Sequence, residues 1–150
     1  MATVSAAAAA FAIACDLRIA APAARLGITP AKLGIVYSLF DTKLLVDLVG
    51  PSQAKRILFT GALHDAQAAL AIGLIDEIAA DPLAAADTLA RIIAGNAQHS
   101  VRSAKAIIRR ILDGQVDDDA TTLALFRDAF TLPDFVEGAA AFCAKRPPRF

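Results

Sequence analysis

The chain has 150 residues, the size of one domain, with hydrophobic side chains at 57% and charged ones at 20%. Fifteen Lys and Arg balance fifteen Asp and Glu, which excludes a nucleic-acid module held by a basic field, and so apolar a composition excludes intrinsic disorder. About a quarter of the residues are Ala, and there is one Tyr, no Trp and eight Phe, so the chain favours helix and is expected to have a thin core of its own.

A run of alanines predicts a first helix from about Ala6 to Cys15. It has no basic flank and falls well short of the roughly 20 residues of a membrane span, so a cytoplasmic protein with no membrane partner is expected. Asp16 to Ala21 reads as a short strand, ended by Pro22, and Ala24 to Ile28 as a second. The next helix starts with Asp41 or Thr42 as N-cap, turns Leu44, Leu45 and Leu48 inward, and ends at Gly50. Pro51 opens another helix carrying Ala54, Ile57 and Leu58 to Gly61. A shorter one spans about Asp65 to Ile72, with Gly73 as its stop, and Leu74 to Ile78 is a brief strand.

Longer helices finish the chain. Asp81-Pro82 begins one that reaches about Ala97. Ser100 to Leu112 sets Val101, Ala104, Ile107, Ile108 and Ile111 on one stripe, leaving Arg102, Lys105, Arg109 and Arg110 on a solvated face. Asp117 to Phe130 and Asp134 to Lys145 complete the set, before Pro147-Pro148. Cys15 and Cys143 are too few for a disulfide framework and read as small buried hydrophobes. Neither His64 nor His99 stands in a recognisable catalytic setting, and no metal-ligand cluster is visible.

Four stretches carry a resemblance to a known family. These are Cys15-Asp-Leu-Arg-Ile-Ala20, and Ala24-Arg-Leu-Gly-Ile28 with Lys32-Leu-Gly-Ile35. Val49-Gly50, Ala54, Leu58-Phe-Thr-Gly61, Ala66, Ala69 and Gly73-Leu-Ile-Asp76 form the third. Asp134, Glu137-Gly138, Ala141-Phe142 and Lys145-Arg-Pro147 form the fourth. In this order the chain resembles the C-terminal portion of the enoyl-CoA hydratase/isomerase (crotonase) superfamily. The resemblance implies an α/β, crotonase-like fold, predominantly helical with a few short strands. Residues 1–80 would close an incomplete spiral core, and 81–150 would form a helical oligomerisation region. It also implies that the family's upstream segment is missing.

The same resemblance implies an acyl-CoA thioester as substrate and a homotrimer or hexamer as assembly, and the partners are that small molecule and other copies of the chain. Coenzyme A enters as part of the substrate, and no metal, flavin or nicotinamide is called for, because the thioester itself makes the α-proton acidic. Enolate formation is helped by two backbone N–H groups aimed at the thioester oxygen. One donor aligns with Ala7, flanked by Ala6 and Ala8 where the family has glycines, and a Cβ there narrows the ligand's approach. The segment reads equally as an Ala-rich helix. The family's paired carboxylates align with Ala10 and Pro30, neither of which ionises, so hydration is expected to be impaired.

Asp41 and Tyr37 are the remaining acid/base candidates, with a helix cap and a core residue as their plainer readings. Lys145 and Phe142 resemble residues that hold the phosphates and adenine of coenzyme A, although a Lys at a helix C-terminus also answers the dipole. The competing functional expectation is a non-catalytic assembly protein or truncated paralogue.

Overall fold

The computed structural model describes residues 11–150. Ala6, Ala7, Ala8 and Ala10 therefore lie outside the described residues. The described part forms two compact units, one reaching Ala86 and the other beginning at Asp87.

The first unit begins with helical residues 11–14 and the two-residue strands β1 (Ile19–Ala20) and β2 (Arg25–Leu26). Then follow α1 (Pro30–Leu33), α2 (Leu39–Thr60), β3 (His64–Asp65), α3 (Ala66–Ala71) and β4 (Glu77–Ile78). The strands are much shorter than the sequence pattern suggests. β1 pairs in parallel with β4, and β2 pairs antiparallel with β3. Two-stranded ribbons of this length have no independent stability; they persist because Ala20, Leu26 and Ile28 beside them are buried with Leu45, Ile57, Ala69 and Ile75.

Chain breaks fall where the glycines are. α2 is two helices merged across Gly50, whose φ of 75° and ψ of 163° lie in a region open almost only to glycine. Pro51 immediately starts the second segment, where its missing N–H costs nothing. The cap of α2 differs from expectation. Ser38, not Asp41 or Thr42, is the N-cap, and its Oγ accepts the Asp41 N–H at 3.0 Å. Asp65 caps α3 by accepting the Ala68 N–H at 2.8 Å.

One ion pair joins the two ends of this unit. Arg18 and Asp76 are 58 residues apart, and the Asp76 carboxylate takes the Arg18 main-chain N–H at 2.7 Å and its guanidinium at 2.9 Å. In return, the Arg18 carbonyl accepts the Asp76 N–H at 2.9 Å, and Arg18 Nη1 donates to the Cys15 carbonyl at 2.7 Å. The guanidinium side chain is only 8% exposed. Cys15 and Cys143 are exposed, against the expectation of burial. Both stand at helix ends, one where the opening helix gives way to the Arg18 turn and the other as the last residue of its helix.

α4 (Pro82–Ala94) crosses the boundary between the units. The second unit continues with α5 (Gln98–Leu112), α6 (Ala120–Ala129) and α7 (Pro133–Cys143). Asp119 and Thr122 form a reciprocal capping box at the start of α6. Arg110 donates to Asp119 at 2.8 Å, tying the end of α5 to that cap. Phe126, Phe130 and Phe135 stack edge-to-face, with successive centroids 5.2 Å apart.

The α5 stripe does not form a core. Ile108 is 57% exposed and Ile111 61%, and Phe126, Phe130, Val136 and Phe142 are exposed as well. The thin core anticipated from composition is thus realised here, where only Thr122 and Ala141 are buried. No helix among the described residues is long and apolar enough to cross a membrane, and no group of His, Cys, Asp or Glu among them has the makings of a metal site.

Candidate active site

The site is built on the stretch from β2 to the first turn of α2. Gly27 lets β2 lie against the chain at Ala62 and Leu63, because a Cβ there would stand 2.6 Å from Leu63 Cδ2 and 2.9 Å from the Ala62 oxygen. Ile28 is then fully buried, which fixes the direction in which the chain leaves the strand. Pro30 follows as the first residue of α1 and is itself buried. At the position where the resemblance implies a carboxylate, the fold thus holds an apolar ring that starts a helix.

Gly34 closes α1 in the left-handed conformation, its N–H returning to its helix. The chain then passes Ile35 and Val36, both exposed, and reaches Tyr37, which is half-buried against the first unit's core. Ser38 and Asp41 lock the start of α2. The Ser38 hydroxyl donates to Asp41 Oδ2 at 2.7 Å while accepting the Asp41 N–H. Both plainer readings therefore hold in part. Asp41 belongs to the capping arrangement, as the N3 partner rather than the cap, and Tyr37 packs on the core.

These two side chains also sense one another. Burial pushes the Tyr37 phenol above its ordinary pKa, and the negative charge of Asp41 raises it further. At neutral pH, Tyr37 is therefore a proton-bearing hydrogen-bond donor. Sequence reasoning places Tyr37, Ser38 and Asp41 near the expected pocket but gives no role to Ser38, which orients the carboxylate. A Ser-x-x-Asp spacing at 38–41 was the available signal.

Lys145 and Phe142 belong to the second unit, at the end of α7. Phe142 is 85% exposed. Two of the basic residues of α5 are engaged on its surface, with Arg109 Nε donating to Asp113 at 3.0 Å and Arg110 held by Asp119. That agrees with a solvated helix face.

Tyr37 is the only tyrosine and there is no tryptophan, so its ionisation is directly visible as phenolate absorbance. Replacing Asp41 by Asn removes the smaller of the two causes of its raised pKa. The titration midpoint of D41N is expected below that of the parent yet still above an ordinary phenol, since burial persists. An unchanged midpoint would contradict the coupling.

The enoyl-CoA hydratase/isomerase family model matches residues 2–150. A crystal structure from Hyphomonas neptunium, provisionally assigned to that family, superposes with a TM-score of 0.92 at 41% identity, covering 99% of this chain and 57% of that one. The enoyl-CoA hydratase EchA1 of Mycobacterium marinum gives 0.88 at 32% identity, over 98% of this chain and 62% of that one. The short-chain-enoyl-CoA hydratase of Clostridioides difficile is 36% identical over 136 residues, 87% of this chain and 86% of the relative. The chain spans about half the length of most of its curated relatives, 56% in the case of a Thermus thermophilus protein that is 41% identical. The fold is crotonase-like, predominantly helical with a few short strands, and the chain belongs to the enoyl-CoA hydratase/isomerase family.

Proposed function

We propose that the protein acts on an acyl-CoA thioester by stabilising the enolate that develops at the thioester carbonyl. The reading is carried by the family match along residues 2–150. Within that reading, the Ala7 N–H is one of the two oxyanion donors, with Ala6 and Ala8 bordering the bound thioester. Two backbone dipoles aimed at a developing oxyanion stabilise the transition state more than the ground state.

Hydration by a pair of carboxylates is not available, because Ala10 and Pro30 stand in those positions. Proton transfer at the α-carbon requires less. Asp41, oriented by Ser38, takes the α-proton as general base, and Tyr37 returns a proton or holds the carboxylate's charge. In a β,γ-unsaturated thioester the electron pair left on the α-carbon delocalises over a dienolate with its charge on the thioester oxygen, and reprotonation at the γ-carbon moves the double bond to the α,β-position. Lys145 binds the coenzyme A phosphates, and Phe142 stacks on the adenine. A cytoplasmic location, where acyl-CoA thioesters are made and consumed, belongs to the same reading.

A second reading has its own observation, the exposed apolar surface of the second unit. There the chain assembles into a homotrimer or hexamer without turning over a thioester.

Saturating crotonyl-CoA should raise the melting temperature by about 5–10 °C if it binds only the folded chain at a hundredfold excess over its Kd. Deuterium from solvent should enter the α-position of butyryl-CoA, and this exchange should disappear in D41N. No thermal shift together with a stable trimer by light scattering would favour the assembly reading. No shift and a monomer would contradict both.

A further inference from the structure

The turn that ends α7 holds a lysine in an unusual backbone state. Lys145 has a φ of 50° and is the only residue other than glycine with positive φ among the described residues. The Arg146 N–H donates back to the Ala141 carbonyl, and the Lys145 N–H to the Phe142 carbonyl, both at 3.1 Å. This is the pairing of a Schellman motif, in which the left-handed position is normally glycine. A Cβ there crowds the following carbonyl, so the surrounding structure must hold the residue in place.

The restraint comes from one carboxylate eight residues earlier, in α7. Glu137 accepts Arg146 Nη1 at 2.7 Å and Nη2 at 2.9 Å, a two-pronged contact. It also accepts the main-chain N–H of Arg149 at 2.8 Å. Beyond Arg149, the Phe150 ring lies over Gly138, where a Cβ would stand 3.8 Å from the ring. The chain is therefore fastened on both sides of Lys145, by the helix end before it and by Glu137 after it. Lys145 is exposed.

We propose that Glu137 is a positioning residue that, by clamping Arg146 and the Arg149 amide, fixes the left-handed turn at Lys145 and thereby aims its ammonium at the phosphates of coenzyme A. This rests on the acyl-CoA reading above. The energetic logic is preorganisation, since a long lysine side chain on a mobile tail must be ordered at the moment of binding, whereas one on a fixed turn has lost part of that freedom already. The strain at Lys145 then has a functional reason. A glycine would satisfy the turn but has no ammonium to offer.

Charge makes the test decisive. Glu137→Gln removes a negative charge from the turn that carries the lysine, so through electrostatics alone it would strengthen coenzyme A binding. Arg146→Gln removes a positive charge and would weaken it. If the clamp is what matters, both weaken binding.

Calorimetric titration of the full chain with coenzyme A should therefore show E137Q and R146Q each weakened about fivefold. K145A should be weakened about tenfold, and E137Q/K145A should be no weaker than K145A, because Glu137 acts through that lysine. Equal or tighter binding by E137Q would overturn the positioning role, and so would a double variant whose losses multiply. Unchanged binding by K145A would remove the lysine from the site and the proposal with it. In any of these cases the acyl-CoA reading stands as long as the parent chain binds; no binding by the parent would overturn both.

Discussion

A buried guanidinium has to be answered, and in the first unit the answer is Asp76. The Arg18 side chain is nearly removed from water, a placement that costs several kcal/mol for an unpaired ion. The Asp76 carboxylate meets both the guanidinium and the Arg18 main-chain N–H, and the Cys15 carbonyl takes a further donor. Arg18 Nε is left without a partner. The pair is therefore better understood as fixing a register than as a large source of stability. With Asp76 docked on Arg18, Glu77 falls opposite Ile19 and Ile78 opposite Ala20, and the Ala79 N–H reaches the Ala20 carbonyl. Everything from β2 to α3 is then a loop closed at its base. The segment carrying Pro30, Tyr37, Ser38 and Asp41 hangs from that closure.

The second unit is organised differently. Its helices are held by local devices, namely the Asp119–Thr122 capping box, the Arg110–Asp119 pair and the Glu137–Arg146 clamp. Helices of 10 to 15 residues are marginal in water without an apolar face to bury. Here much of that face is exposed, the edge-to-face phenylalanines included. The Glu137 carboxyl sits at about 2, held down first by the Arg146 guanidinium and next by the Arg149 N–H, so it stays ionised at any physiological pH. A clamp built on that carboxylate is a permanent fitting of the α7 turn.

Much of this was legible in the sequence wherever local chemistry decides the outcome. Gly50-Pro51 announced a break and a restart, and Gly61 an ending, because those residues act through their own backbone. The strands were overestimated, since Asp16–Ala21 and Ala24–Ile28 each contain only two paired residues. Their extent is set by partners dozens of residues away, which no local window contains. Cys15 and Cys143 were expected to be buried on residue type alone, yet each sits at a helix end open to water. Asp41 was recognised as a candidate, but its orientation by Ser38 emerged only from the geometry. Glu137 was visible as part of a family motif and silent as to its work, because its partners are nine and twelve residues away in a tail without regular structure. The α5 stripe had the right helical period, but period says nothing of what covers it.

The claim that Arg18 and Asp76 close the first unit is tested most directly by urea unfolding of Asp76→Ala, followed through the fluorescence of Tyr37. That tyrosine is the only one in the chain and lies in the first unit, so it reports on this unit. Removing the carboxylate strands a buried guanidinium and a main-chain N–H. Because Asp76 is itself partly exposed, the account predicts a loss of about 2 kcal/mol at an unchanged denaturant slope. A midpoint within about 0.5 kcal/mol of the parent, the range of an ordinary surface substitution, would contradict it.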